Sequence, residues 1–350
     1  NDILVDLKGV AKHYGEGETR VDALRSIDVI GSRLPADLGK SSGEALSLDT
    51  AMGDDRFRFT VTDFIPSVQS RKGLHIEAFT PRLALSGPIR KGTAWFYDAG
   101  QGEYDLSIVQ ELPSGADEAP SWRWNNLAKT QVNVNASNQL TTTFLVNRFR
   151  SPNNGLDALD PLETTTNLTQ TAWFAAIKDQ MSLPGGSLLE LGFAFDQFGS
   201  NDLPRGSLPY VIRPEGTSGN YFETSNSTAR RFEAIANLSL AGFDWHGHHE
   251  LRFGVDADRV TYDQNLARGA ILIYREDGTL DRQATFSGPP VYDRNNVETS
   301  AYAEDGWAPR SGLFVDAGLR FDWDEILRRP LIAPRLAASY MLTSDGKTKL

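Results

Sequence analysis

A long segment of the chain carries the side chains best suited to bind a ligand. It runs from Ser200 to Ser227 and combines guanidinium groups with aromatic rings. Arginine binds carboxylates or catecholates, and aromatic rings stack on sugars. Connections of this length are usually functional or disordered, so a protective lid without specificity is the alternative. The candidate ligand-binding residues are Arg205, Tyr210, Arg213, Tyr221 and Phe222.

Motifs for catalysis and metal binding are weak in this sequence. No G-x-S-x-G is present, and Gly87–Thr93 (GPIRKGT) lacks the lysine of a phosphate loop and is a plain turn. His246, His248 and His249 have no zinc-site spacing, so a solvated polar turn is favoured over a metal site. Glu276–Thr279 is a hairpin turn, with a calcium site as the lesser alternative. We predict no enzyme, no cofactor and no metal.

The elements that position these residues are indicated best by Leu313–Trp323. Its odd positions are apolar and its even positions are polar or small, which predicts a β-strand between two environments. About ten residues is the length that a tilted strand needs to cross a bilayer. Charges of both signs on the polar face suit a wet lumen. The predicted lumen-facing residues are Asp256, Asp258, Asp316, Arg320 and Asp322.

The same alternation recurs along the chain and predicts about twelve strands. They lie at 55–66, 74–87, 93–106, 122–135, 138–150, 169–182, 187–199, 228–240, 249–263, 294–306, 313–325 and 332–342. The connections alternate between short ones, such as Ala136–Ser137, and long ones, such as Gln264–Asp293. This alternation is typical of an antiparallel up-and-down transmembrane β-barrel, whereas a Greek-key sandwich has no reason to follow it. The predicted fold class is therefore all-β, with part of such a barrel.

Tryptophans lie near the predicted strand ends, as two membrane interfaces require. The membrane-interface aromatics are Trp95, Trp122, Trp173, Trp307 and Trp323. A soluble all-β carbohydrate-binding module is the alternative. It predicts that Leu313, Val315, Leu319 and Phe321 pack beneath a second sheet, whereas the barrel exposes them.

Composition excludes some partners. The 350 residues carry a net charge of −11, which argues against nucleic acid. No apolar run approaches the ~20 residues of a membrane helix, and the absence of cysteine is compatible with an oxidising compartment. The N-terminus lacks signal-peptide features, and the chain stops where a strand should begin. The expectation is an internal piece of a longer protein.

Residues 1–52 differ from the rest and are expected to be the end of a small domain, with the barrel at 53–350. A helical turn is predicted around Val21–Ile27, and a short strand at Ala45–Thr50. Between them, small residues predict a tight turn. The turn residues are Gly39, Ser41, Ser42 and Gly43.

Four segments together resemble the TonB-dependent outer-membrane receptors, in particular their Oar-like, acidobacteria-type branch. Val21–Thr50 is similar to the end of the plug domain, and Leu85–Ile89 with Trp95–Tyr97 is similar to an early barrel hairpin of that branch. Ala301–Trp307 followed by Gly318–Asp322 resembles a later hairpin, and Ala333–Leu336 its continuation. They occur in family order over most of the chain.

This resemblance implies a role that the residues alone do not show. Such receptors sit in the bacterial outer membrane, in contact with its lipid. They import scarce nutrients, as siderophore–iron complexes or oligosaccharides, through a plugged barrel driven by the TonB complex. Complete transporter barrels have about 22 strands, so this chain would supply roughly half, without the TonB box. A passive structural or adhesive outer-membrane barrel is the other membrane alternative.

Overall fold

The computed structural model describes residues 12–14, 21–30, 36–37, 39 and 45–341, with side chains for 36–37, 39 and 49–341. Strands make up nearly all of the regular structure. The elements are β1 Lys12–Tyr14, β2 Val21–Ile30, β3 Ala45–Thr50, β4 Arg58–Thr62, β5 Ser67–Gln69, β6 His75–Phe79, β7 Arg82–Arg90, β8 Ala94–Ile108, β9 Glu118–Asn135, β10 Asn138–Asn154, β11 Thr166–Ser182, β12 Leu188–Pro204, β13 Tyr210–Arg213, β14 Gly216–Ser218, β15 Glu223–Ser239, β16 Phe243–Asp244, β17 His248–Arg268, β18 Ile271–Tyr274, β19 Leu280–Ala284, β20 Val291–Arg310, β21 Leu313–Asp324 and β22 Arg329–Tyr340.

One large antiparallel sheet contains the predicted barrel strands. The strands of its main path are neighbours in the order β22-β21-β20-β17-β15-β12-β11-β10-β9-β8, followed by the broken pair β6/β7 and β4/β5. If β4/β5 and β6/β7 each count as one interrupted strand, the path has the predicted up-and-down order. No pairing joins β22 to β4 or β5 in the described part of the chain, so the sheet is open there.

The two faces of this sheet have different surroundings. Residues 36–37 and 50–52 contact one face, which we call the inner face. Arg320 and Asp322 of β21 point to it and are 4% and 7% exposed, whereas Leu319 and Phe321 on the outer face are 53% and 43% exposed. No second sheet covers this outer stripe within the described residues, so the packing that the soluble alternative predicts for Leu319 and Phe321 is not found there.

The connections define two ends of the sheet. The turn end carries the short connections, including Lys91–Thr93, which confirms GPIRKGT as part of a hairpin turn. The loop end carries the long ones, although the strands extend further into them than predicted because antiparallel pairing continues. The alternation fails between β21 and β22. Asp324 holds that short loop-end turn by accepting hydrogen bonds from the amides of Ile326 and Leu327.

Two local predictions have opposite outcomes. The helical turn around Val21–Ile27 is wrong: these residues begin β2, which pairs with β1 and β3, so strand partners on both sides satisfy its backbone. The strand at Ala45–Thr50 is confirmed as β3. No helix in the described part of the chain is long and apolar enough to span a membrane.

Candidate functional site

Arg320 is the centre of a buried polar cluster on the inner face. Its Nε donates to Asp322 at 2.9 Å, and its Nη2 donates to Asp256 at 2.9 Å and to the hydroxyl of Ser300. Ser300 donates in turn to Asp256. The strand register brings these residues together, since Ser300 is paired with both Asp322 and Asp256 on neighbouring strands. Two carboxylates thus surround one guanidinium, which is strongly held.

The remaining donor of Arg320 binds the segment that precedes the barrel. Its Nη1 donates to the carbonyl oxygens of Ala36 and Asp37, each at 3.2 Å, and the amide of Ala36 donates to Glu304 at 2.7 Å. Ala36 is only 1% exposed. A Cβ on Gly39 would lie 2.3 Å from the Arg320 guanidinium, so a side chain there would displace it. We call Arg320, Asp256, Asp322, Ser300 and Glu304 the plug clamp.

A second contact holds the end of the same segment further round the sheet. Lys129 on β9 donates to the hydroxyl and carbonyl of Thr50, at 2.8 and 3.2 Å. Ala51 then packs against Ala84 and the buried ring of Tyr97. Residues 36–37 therefore contact the inner face at β20 and β21, and residues 50–52 contact it at β8 and β9, shortly before β4 begins.

The other predicted lumen residues lie on the inner face but outside the plug clamp. Asp258 is 6% exposed and accepts from Nε of Arg231 at 2.9 Å. Asp316 lies four residues before Arg320 on β21, and its side chain is on the same face. Of the predicted turn residues, Gly39 lies beside Arg320; Ser41, Ser42 and Gly43 lie outside the described residues.

An apolar hollow lies on the inner face beside the Tyr97 contact, on its loop-end side. Its volume is about 170 Å³, and its floor is built from Ala84, Ala99 and Leu127. Polar amide groups stand along its rim. They belong to Gln101, Asn125 and Asn147. Apolar floors with a few convergent polar groups are typical of small-molecule sites.

At the loop end, two long connections form a separate sheet. The connection 205–222 contributes β13 and β14, and the connection 269–290 contributes β18 and β19. The order is β14-β13-β18-β19, with β13 and β18 parallel. The predicted turn Glu276–Thr279 connects β18 to β19, where Arg275 and Thr279 close the hairpin by a 2.9 Å backbone hydrogen bond. The loops are therefore fixed to each other rather than independent.

Aromatic rings of these two connections contact one another. Tyr221 contacts Tyr210 and Phe222 at centroid distances of 5.8 and 4.8 Å, and Phe222 stacks on Phe286 at 5.6 Å. Asp160 of the β10–β11 connection accepts hydrogen bonds from the Tyr210 hydroxyl at 3.1 Å and from Thr217 at 2.6 Å. Three loops thus share one cluster, which we call the loop cluster.

The structure separates the two candidate arginines. Arg205 donates to Thr165 at 2.9 Å, to the carbonyl of Pro152 at 3.0 Å and to the side chain of Asn153, so it holds two loops together. The guanidinium of Arg213 lies 4.9 Å from the Tyr274 ring centroid on the exposed surface and donates only to Ser218 among the contacts of the described residues. Arg213 is therefore the better placed for a ligand.

We expect the loop cluster to loosen at alkaline pH. Burial raises the pKa of both Tyr210 and Tyr221 above the usual value, and nearby carboxylates add to this effect. The folded loops favour the neutral phenols, so their stability is complete below the unfolded pKa of about 10 and is lost as pH rises through the folded values. Ultraviolet absorbance should show delayed ionisation, and loop proteolysis should then increase. Ionisation of both tyrosines at about pH 10, without increased cleavage, would contradict this.

The predicted interface tryptophans divide by face. Trp122 and Trp173 are exposed on the outer face at 43% and 39%. Trp323 is on the same face of β21 as Phe321, and Trp307 is paired with Val315 on that face. Both tryptophans therefore lie on the outer face. Trp95 does not fit the prediction. It shares the inner face with Tyr97, and its indole donates to Asp55 at 2.7 Å.

The histidines at the start of β17 contact acids and rings. His249 lies 2.7 Å from Asp305 and 2.9 Å from the Trp245 carbonyl, with its ring stacked on Phe243 and Trp307. His248 contacts Asp244 at 3.0 Å. No group of three or more metal-ligating side chains converges within the described residues.

A large, open antiparallel sheet that holds a preceding segment on its inner face, with long loops at one end, has the architecture of a plugged outer-membrane barrel. Solved structures of TonB-dependent outer-membrane receptors have this fold. The outer membrane transporter YddB from Escherichia coli superposes with a TM-score of 0.68 at 11% identity, over 96% of this chain and 49% of that one. The pyoverdine outer membrane receptor FpvA from Pseudomonas aeruginosa PAO1 gives 0.68 at 13%, over 93% and 50%. The alcaligin outer membrane receptor FauA from Bordetella pertussis gives 0.65 at 12%, over 92% and 48%.

The chain therefore has the TonB-dependent receptor fold, as the sequence resemblance led us to expect. It spans about half the length of these solved structures. No protein-family model and no curated protein sequence matches it. These solved structures are named as transporters or receptors of the outer membrane.

Proposed function

We propose that this chain is part of an outer-membrane receptor that binds a scarce nutrient outside the cell and imports it through a plugged barrel, with energy from the TonB complex. The observation that best supports this proposal is the plug clamp. Five hydrogen bonds from one buried arginine, two of them to the preceding segment, give the barrel wall a defined partner inside the lumen. A passive or adhesive barrel does not require such a contact.

In this proposal residues 1–52 are the end of the plug and the inner face lines the lumen. The apolar outer stripe then faces lipid, because exposed apolar side chains at this density are stable in a bilayer. The hollow near Tyr97 lies between the plug contact and the loop end, on the path that an imported molecule would take.

The ligand class that we propose is a siderophore–iron complex, with an oligosaccharide as the second candidate. Loops that carry a guanidinium over an aromatic ring, as Arg213 does over Tyr274, suit an anionic or catecholate ligand. The relatives FpvA and FauA are named for the siderophores pyoverdine and alcaligin. The aromatic rings of the loop cluster are also suited to stack on sugars, so an oligosaccharide remains the second candidate ligand.

Uptake measurements test the transport proposal. Cells that express the protein should accumulate labelled ferric siderophore under iron limitation, and the accumulation should stop when TonB is deleted. Parallel uptake of labelled oligosaccharides distinguishes the two ligand classes. Accumulation that persists without TonB would instead support a passive barrel, whose open lumen should also conduct ions in a planar bilayer.

The Arg213→Gln variant tests the loop surface. We expect an anionic ligand to bind about tenfold more weakly or worse, because a hydrogen bond to a charged group contributes about 1.5–3 kcal/mol. Arg282→Gln on the same small sheet is the matched control, since that exposed arginine is already paired with Asp281 at 3.0 Å. Titration calorimetry gives both affinities. Equal affinity in the two variants would favour a lid without specificity.

A further inference from the structure

A second surface with ligand character lies on the outer face near the loop end. Here Arg148 and Arg150 of β10 stand beside Trp124 and Trp122 of β9, to which they are directly paired in the register. Tyr104 and Phe79 continue the row across β8 and β6, with Tyr104 and Trp122 in ring contact at 5.6 Å. Together they border a groove of about 420 Å³.

The two arginines of this groove have charges that no side chain in the described part of the chain neutralises. Neither has a hydrogen-bond or ion-pair partner within the described residues, and both are exposed. Glu103 also borders the groove, but its carboxylate is 3.2 Å from Arg123 and that pair points to the inner face. Two unpaired cations in a chain with a net charge of −11 form a local charge of the opposite sign, and this favours an anionic ligand.

The positions of the groove residues along β10 indicate which part of a membrane would surround them. Phe144 precedes the arginines on the same face of β10 and is 40% exposed, and the buried Val146 between them is paired with the exposed Trp173. Exposed tryptophans mark the level where hydrocarbon meets headgroups. Arg148 and Arg150 are paired with Trp124 and Trp122 and so lie at this level, where arginine meets lipid headgroups rather than acyl chains. Same-face residues two apart are about 7 Å from each other, so each can bind its own anionic group.

We propose that this groove binds the phosphate-bearing headgroup of a glycolipid in the leaflet at the loop end. Guanidinium forks match phosphate oxygens in pairs, and the Trp122, Trp124 and Tyr104 rings offer faces for sugar rings. The inference rests on the proposed function, because it requires the outer stripe to face a bilayer. It adds a lipid site on the barrel wall, separate from the lumen and from the loop cluster.

The test measures lipid binding to the purified protein in neutral detergent micelles by native mass spectrometry. The probes are a bisphosphorylated diglucosamine lipid and the same lipid without its phosphates. We expect the phosphorylated lipid to bind, and the Arg148→Gln, Arg150→Gln double variant to bind it at least about tenfold more weakly. Arg259→Gln is the control, because it removes an exposed outer-face arginine on β17 that already donates to Asn295.

Three outcomes would overturn the lipid site. They are equal binding of the two lipids, an equal loss in the control, and no loss in the double variant. Insertion of the same preparations into vesicles, measured by protease protection, keeps this proposal separate from the proposed function. In the complete receptor that contains this chain, failure to insert contradicts the membrane assignment itself, whereas insertion without a preference for the phosphates contradicts only the groove.

Discussion

Replacement of Arg320 by methionine is expected to lower the free energy of unfolding by about 3–5 kcal/mol, because removal of one partner leaves a buried charge uncompensated. Asp256 and Asp322 each accept a 2.9 Å hydrogen bond from this guanidinium, and Arg320 itself is 4% exposed. Without it, two neighbouring carboxylates repel each other, the half-buried Asp256 and the buried Asp322. The carbonyls of Ala36 and Asp37 lose their donor as well.

The stability lost in Arg320→Met should be restored when the negative charges of Asp256 and Asp322 are removed as well. The triple variant Arg320→Met, Asp256→Asn, Asp322→Asn should recover most of the stability, because neutral replacement of a whole buried ion cluster is often tolerated. Its plug end should nevertheless remain loose, since the bonds to Ala36 and Asp37 are still absent. Stability and plug attachment are therefore separable within one series.

Urea unfolding in lipid vesicles measures the first quantity, and protease cleavage near residues 36–37 measures the second. Arg282→Gln is a suitable control, because an exposed pair contributes only about 0–1 kcal/mol. An Arg320→Met protein as stable as this control, or a triple variant no better than the single one, would show that the cluster carries no uncompensated charge. Unchanged cleavage would show that Arg320 does not hold the plug.

The plug clamp also shows which parts of the site are readable from sequence. A period of two assigns Asp256, Arg320 and Asp322 to one face, and this needs no knowledge of neighbouring strands. Ser300 joins them only through the register of β17, β20 and β21, which is set by connections whose ends are uncertain from sequence. The acceptors of Ala36 and Asp37 are backbone carbonyls, and these carry no signal in residue type.

The same limits explain the errors. The sequence predicts a membrane-interface position for Trp95 because it lies near a turn, but a shift of one residue in a strand moves a side chain to the opposite face. Arg205 has the residue type of a ligand-binding group, and its three acceptors come from the end of β10 and from the β10–β11 connection, distant in sequence. Residue type indicates what a side chain can bind, and tertiary contacts decide whether it remains available.

Leu319→Arg is expected to cost about 2–4 kcal/mol in a bilayer, the penalty for a cation on the lipid face near the membrane midplane. Leu319 lies about midway along β21, on the outer face, and is 53% exposed. In water such a substitution at an exposed position would change stability by about 0.5 kcal/mol or less. The variant therefore reports directly on the solvent that contacts the outer stripe.

Ala337→Arg is the matched control, because it places the same side chain on the neighbouring strand but on the inner face, opposite Asp316. A wet lumen with a carboxylate nearby should accept it at little cost. Urea unfolding of both variants in vesicles gives the difference, and repetition in thicker bilayers should increase the Leu319→Arg penalty because the charge lies deeper in hydrocarbon. Equal costs for the two substitutions would mean that the outer stripe faces water, and the exposed apolar side chains would then need a protein partner instead of lipid.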